Sequence, residues 1–417
     1  MLAKLARDST ITLASTSSKS DKLTSFFLFL FGIGIWEKWA TIIMGSLLTI
    51  LWISNGGLHE SRRLIREPLI LALILFVSTL LLGLLWSDYP RTGFFPWKSY
   101  LVLLFFIPYF SLLNKNRLPW AIAGLIVGYT LVLLAAIYYL IVHKVFSVPP
   151  LGMLYLHTSV MCGVGILIFL YLAVRAHSVK QSLLFSLCIL ILLFLVFNSP
   201  ARGPLIAIIL TIFVSVILLY RRQLKMILGI SLLLIFVIAF LMGQSDIFKE
   251  RFYSIFTEIS QFTQGINTTS TGYRLAFWQI GLQAISQRPL LGYGSGMAQK
   301  AFQETAVSYQ GGRFVDVGDY FHLHYHNDVI EMGVLLGFMG IAAYLFLLLA
   351  WFQTLRRHHL PVLGGILVFY LMLSGLTDTI MTYRQIPLLL LTITAIAITI
   401  QREHGDSQFN LAHKFQS

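Results

Sequence analysis

The chain is poor in charge: 11% of its 417 residues are Asp, Glu, Lys or Arg, against roughly a quarter in soluble globular domains. With 57% of its residues hydrophobic, it cannot cover a water-solvated globule with polar surface, so lipid must be its main solvent. Cysteine is scarce as well. Cys162 and Cys188 both lie inside apolar runs, which excludes a disulfide framework or thiolate metal site and leaves them as small buried hydrophobes. No Ser- or Pro-rich linker and no periodic repeat divides the sequence. A small-residue cleavage site after the first apolar run is also missing. The polar segment 1–22, with Lys4, Arg7, Lys19 and Lys22, therefore reads as a retained cytoplasmic tail and not as a cleaved signal peptide.

What the chain has in abundance is apolar runs. A bilayer crossing takes about 20 predominantly apolar residues, and about twelve such runs can be counted, near 23–37, 39–55, 68–86, 97–113, 119–141, 153–174, 181–198, 204–220, 224–243, 328–352, 360–377 and 384–401. The expected fold is an all-α integral membrane protein. Nine spans occupy 23–243, an extracytoplasmic insert 244–326, three more spans 327–401, and a cytoplasmic tail 402–417. Lys and Arg beside short loops resist translocation, so their distribution sets the orientation. With the N-terminus inside, 18 of the 30 basic residues fall on the inner side, and the formal +13 divides into +12 inside and +1 outside. Nearly all the excess charge thus has a topological explanation, and no nucleic-acid partner is expected.

The insert of roughly eighty residues is too long for a structureless loop. Phe248, Phe252, Ile255 and Ile259 recur at helical spacing, as do Leu275, Trp278, Leu282 and Ile285, predicting two amphipathic helices with their apolar faces toward the membrane array. Between them residues 267–272 read as a turn. After them RPLLGYGSG, 288–296, reads either as a tight turn or as a backbone amide nest for phosphate.

Polar groups on the outer side are the informative ones. Arg202, in NSPARGPL beside a Pro-marked helix start, can snorkel to lipid headgroups or form a diphosphate site with the positive helix end. Arg274, in TGYRLAFWQIGL after Tyr273, opens the second insert helix against its dipole, which calls for an anionic partner unless it is simply solvated. The sharpest signal is FHLHYHNDVIEMG, where His322, His324 and His326 precede the tenth span. Asn327 fits a helix N-cap, with Asp328 and Glu331 in the first turn. An imidazole there suits a general base for a hydroxyl. Alternation of the histidines also allows, as a lesser alternative, a metal site completed by Asp316, Asp319 or Asp328, and a purely structural role stays open. Asp378 and Arg384 in GLTDTIMTYRQIP can pair with each other or support the site, while Tyr383, Trp97 and Trp36 read as aromatic-belt residues.

Taken together, SPARGPL, STGYRLAFWQIGL, HYHNDVIEMGVLLGFMGI from His324 to Ile341, and GLTDTIMTYRQIP resemble the O-antigen ligase family, which shares a domain with O-antigen polymerases and bacterial O-linked oligosaccharyltransferases. The resemblance covers roughly residues 197–387. It implies a GT-C-like glycosyltransferase of the bacterial inner membrane, with both termini cytoplasmic and the active site facing the periplasm. The implied donor is an undecaprenyl-diphosphate-linked glycan and the implied acceptor lipid A-core, with inversion and without metal, ATP or other cofactor. By motif match His326 takes the place of the family's essential histidine, and Arg202 and Arg274 those of the arginines on the donor diphosphate. His324, His322, Arg288, Tyr273, Asp378 and Arg384 are expected around them as substrate-binding residues. A twelve-span transporter or flippase is the competing class. It fits less well, because the midspan regions are nearly free of charge and the polar residues gather at one membrane face.

Overall fold

The computed structural model describes residues 19–244, 246–320 and 324–414, and among them the regular elements are all helical. Each apolar run has become helix: α1 (Lys19–Gly34), α2 (Lys38–Ser54), α3 (Gly57–Leu64), α4 (Pro68–Leu82), α5 (Pro90–Leu101), α6 (Phe106–Leu112), α7 (Leu118–His143), α8 (Tyr155–Val174), α9 (Val179–Phe197), α10 (Arg202–Leu219) and α11 (Leu224–Gln244). The insert supplies α12 (Asp246–Thr263), α13 (Ser270–Gln287) and α14 (Ala298–Ser308), and the chain closes with α15 (Asp328–Arg357), α16 (Pro361–Thr377) and α17 (Gln385–Lys414).

Six of these, α7 to α10, α15 and the 385–403 part of α17, are long and apolar enough to cross a membrane, or seven if α2 and α3, bent by 99°, count as one span. Among the other runs, α4 and α16 are shorter apolar helices. Proline and glycine explain the shortening. Pro68 opens α4 and Gly83 closes it, and Gly56 in the left-handed conformation turns α2 into α3.

Burial separates the helices into two groups. Leu183, Leu187, Leu190 and Phe194 of α9 are exposed, as expected of a lipid-facing surface, whereas α8 and α15 are lined with buried residues. Within that centre α15 packs against α4 and α16, α16 against α8 and α10, and α13 of the insert docks on α15. Both predicted insert helices are present, but the phase of the second differs in part from expectation. Of the expected face Ile285 is buried, Leu275 and Trp278 are half-buried and Leu282 is exposed, while Ala276, Phe277, Ile280 and Ala284 are buried beside them. Small residues bring α13 close to α15, and that approach outweighs the burial of larger side chains one position away.

The tenth apolar run is also not one regular helix. Gly337 interrupts α15 with φ +60 and ψ −149, a conformation open essentially to glycine alone. The break leaves backbone groups of the helix unpaired, and the 288–296 loop satisfies them. Phe338 N donates to the Pro289 carbonyl at 2.7 Å, while Tyr293 N and Gly294 N donate to the Val334 and Leu335 carbonyls at 2.9 and 2.8 Å. Ser295 N donates to the Gly83 carbonyl at 3.0 Å. These amides are spent on protein carbonyls, so the loop is a structural clasp and not a phosphate nest. Gly337→Ala would meet the Leu290 carbonyl carbon at 2.4 Å in addition to backbone strain of about 1–3 kcal/mol. It should lower the melting temperature of the detergent-solubilised protein by several degrees, whereas Gly229→Ala, whose Cβ meets nothing within 4 Å, should not; equal melting of the two variants would refute the clasp.

Candidate active site

The short segment before α15 holds the central side chain. His326 adopts φ +51, a left-handed conformation that disfavours any residue with a Cβ and persists only where its surroundings enforce it. Those surroundings can be named. Asn327 caps α15, its Oδ1 accepting from Val329 N and Ile330 N at 3.0 and 3.1 Å, while its Nδ2 donates to the Leu376 carbonyl at 3.3 Å. Glu331, buried one turn along, accepts from Tyr325 N at 2.9 Å. Fully buried Asp328 accepts from Met381 N at 3.2 Å and from the Tyr344 hydroxyl at 3.3 Å. The two acids of the HNDVIEMG motif thus act as brackets. Glu331 fastens the segment entering the histidine, and Asp328 fastens the turn after α16.

That turn carries Asp378, whose Oδ1 lies 2.8 Å from His326 Nδ1 and also accepts from Thr379 N at 2.8 Å. Burial raises the carboxyl pKa, but the hydrogen bond from His326 and the charges of His326 and His324 outweigh it and bring the group to about 2. An ionised carboxylate only accepts, so His326 Nδ1 must carry the proton, which in the neutral ring leaves the lone pair on Nε2. The ring is held from its face by Phe277 of α13, stacked at 5.9 Å between centroids and 10° between planes. Its side chain keeps 29% of its surface exposed, which leaves a substrate hydroxyl an approach.

His324 is engaged differently. Its ring meets that of His326 edge-on at 4.3 Å, its Nδ1 lies 3.3 Å from Thr379 Oγ1, and its Nε2 lies 3.1 Å from the Tyr383 hydroxyl. Burial, then the neighbouring charge of His326, lowers its pKa to about 4, so at neutral pH it is an uncharged support. The Tyr383 ring rests on His157 of α8, 3.6 Å between centroids. This corrects the aromatic-belt expectation for Tyr383, and Trp36 likewise is buried in the core. His322 lies outside the described residues.

The ligand atoms of His324, His326 and Asp378 lie within 4.8 Å of one another, close enough for a metal ion. The donors are nevertheless committed: both nitrogens of His324 and Nδ1 of His326 already have partners. Asp328 is bound to Met381 and Tyr344, and Asp316 is exposed outside the group. A cation would have to break these bonds, so the geometry fits a carboxylate-oriented imidazole better than a metal shell.

Both arginines reach this rim. Arg202 is the first residue of α10, and the next residue, Gly203, approaches α16 so closely that a Cβ would fall 2.8 Å from the Thr377 side chain. Its Nη1 pairs with Glu258 Oε1 of α12 at 2.7 Å, and Glu258 Oε2 accepts from Thr271 N in the first turn of α13 at 2.9 Å. Burial opposes ionisation of Glu258, but hydrogen bonds from Thr271 and Arg202 hold its pKa below the usual carboxylate value. One turn further along α13, Arg274 folds back on Ser270, Nη1 to Oγ at 2.9 Å, while its buried Nε has no partner. Its charge is among those acting on His324. Glu258 therefore ties the helix start bearing Arg202 to the helix start bearing Arg274.

The remaining expected residues divide. Tyr273 stacks along Phe277, the ring that also stacks on His326, at 6.4 Å. Arg288 lies over the Tyr293 ring at 4.3 Å in the clasp loop. Arg384 forms no ion pair with Asp378 and faces Glu37 instead. Glu258, Tyr383, His157, Phe277 and Thr379 were not singled out as site residues by sequence reasoning. Of these, only the Asp-Thr pair in GLTDTIM could have been suspected from its spacing.

The comparison with known proteins falls on the same stretch. Over 158 residues the chain is 27% identical to the O-antigen ligase of Escherichia coli strain K12, a match covering 38% of this chain and 37% of that protein, so the match spans little more than a third of the relative's length. Residues 185–345, from α9 into α15 and including both arginines and the histidines, match the O-antigen ligase family profile.

Proposed function

We propose that the chain is a glycosyltransferase that moves a glycan from undecaprenyl diphosphate to the outer core sugar of lipid A-core, at the periplasmic face of the bacterial inner membrane, with both termini cytoplasmic. The observation that carries this reading is an imidazole whose Nδ1 is tied to an ionised carboxylate, with Nε2 open on a rim that also receives two arginines. His326 Nε2 takes the proton of the acceptor hydroxyl as its oxygen attacks the anomeric carbon from the face opposite the diphosphate. The C–O bond to the diphosphate breaks, and its electron pair leaves on the phosphate oxygen. Asp378 stabilises the imidazolium that forms, in the manner of a buried carboxylate behind a general base. Negative charge grows on the leaving diphosphate, where Arg202 and Arg274 supply fixed positive charge in a medium of low dielectric. Arg202 uses Nη1 for Glu258, which orients the guanidinium while its other N–H groups face the donor. Neutral His324 and Tyr383 wall the histidine without competing for the proton.

Purified protein given lipid-linked glycan and lipid A-core should form the linked product equally with and without chelator. Product on the lipid carrier alone would make it a polymerase, and product on protein an O-linked oligosaccharyltransferase. His326→Ala should abolish transfer while the donor accumulates; full activity would remove the proposed base. Asp378→Asn should lower kcat by about 10⁴-fold, the order lost when the carboxylate behind a general-base histidine becomes an amide, with the donor KM nearly unchanged.

Arg202→Ala should raise the donor KM, and Glu258→Ala should do so less. The double variant should be no worse than Arg202→Ala alone, because Glu258 acts through that arginine. Fully additive losses would show that Glu258 acts elsewhere.

The lowered pKa of His324 gives stability a direction with pH. The unfolded chain binds a proton at this histidine below about 6.5, whereas the folded one resists until about 4. Stability at this position is therefore present above pH 6.5 and lost as pH falls toward 4. His324→Gln should flatten that slope in melting curves recorded between pH 7 and pH 4; an unchanged slope would assign it to other groups.

A further inference from the structure

A cavity of about 250 Å³ opens on the same rim, with Glu37, Lys38, Pro150, Tyr383, Arg384 and Gln385 among its walls. Three connections that are far apart in sequence form it: the turn between α1 and α2, the turn before α8, and the segment entering α17. Gln385 stitches them together, its Nε2 donating to the Leu151 carbonyl at 3.1 Å and the Trp36 carbonyl at 3.5 Å. Glu37 is fixed as the N-cap of α2, its Oε2 accepting from Ala40 N at 2.7 Å. Across the cavity stands Arg384. The two opposite charges act on each other, yet no ion pair closes between them among the described residues, and the buried Nε of Arg384 has no partner. The fold thus keeps an anion and a cation facing each other across a gap that neither fills.

We propose that this cavity is a saccharide subsite that holds one pyranose ring of a glycan substrate beside the reacting centre. The inference rests on the glycosyl-transfer reading above. A carboxylate that accepts from two hydroxyls and a guanidinium that donates to ring or hydroxyl oxygens suit a vicinal diol, and the ring would complete the polar pairing that the gap leaves open. The volume lies below the roughly 300 Å³ at which pockets for drug-sized ligands begin, which suits one ring and not a chain of them. Tyr383 is shared with the histidine cluster: it walls the cavity and its hydroxyl meets His324. A sugar seated here is therefore one side chain away from the support of His326. Lys38, which also lies over Trp39 at 5.5 Å, gives the cavity a net positive charge and would favour a ring with an acidic substituent.

The ring can come from the acceptor core or from the donor repeat, and binding distinguishes them. Saturation-transfer NMR on the full-length protein in detergent, with delipidated core oligosaccharide in one arm and delipidated donor repeat in the other, should give a contact signal for one glycan. That signal should weaken about tenfold in affinity, some 1.4 kcal/mol, in Arg384→Ala and in Glu37→Gln. Glutamine can keep the cap on Ala40 N, so the second variant reports on the sugar and not on folding. The KM for the same glycan should rise in parallel and that for the other stay unchanged. If neither glycan loses affinity in either variant, the subsite is refuted. Because binding is read without turnover, an active His326→Ala would overturn the catalytic reading and leave this result standing on its own.

Discussion

The hydrogen bond between His326 Nδ1 and Asp378 Oδ1 is the interaction around which the outer rim is organised. It joins residues 52 apart in sequence, and neither is placed by its own helix alone. His326 is held in a left-handed conformation that a histidine does not choose, and Asp378 is a buried carboxylate that needs donors to stay ionised. Each cost is offset by the same set of neighbours. Asn327 and Glu331 fix the segment before α15, Thr379 N donates to Asp378, and Asp328 anchors the following turn through Met381 N. Loss of one member would free a loop and leave a buried polar group unpaired, which in a low-dielectric setting costs more than the bond itself.

Much of this was legible in the chain, for identifiable reasons. Helices at the apolar runs follow from length and hydropathy, and the capping role of Asn327 follows from its place before an apolar helix with acids in the first turn. The histidine triplet and the arginine beside Pro204 stood out because charge is so scarce elsewhere. The partners of these residues did not stand out. Nothing local in the sequence marks Glu258, which meets Arg202 and Thr271 N only through tertiary contacts. Tyr383 has the composition and depth of a belt aromatic; that its hydroxyl meets His324 depends on a turn geometry no local pattern encodes. The phase of α13 was partly misjudged because the largest apolar residues were assigned to the buried face, whereas close approach to α15 selects Ala276, Gly281 and Ala284.

The division of labour between the membrane array and the insert follows from the same contacts. Arg202 stands on an array helix and Arg274 on an insert helix, so their relative position would drift with any motion of the insert. Two fastenings oppose that drift. At one end Glu258 bridges the two helix starts, and at the other the clasp loop hydrogen-bonds across the break at Gly337. A broken helix is an unusual place to anchor an insert, yet it is an effective one. An intact helix inside a membrane has no free backbone groups to offer, whereas a break exposes carbonyls and amides that must find partners away from water. The glycine-rich loop supplies those partners, so the disruption of α15 is the attachment itself. In this arrangement the insert is held at one end by backbone groups whose geometry is fixed and at the other by the Glu258 carboxylate.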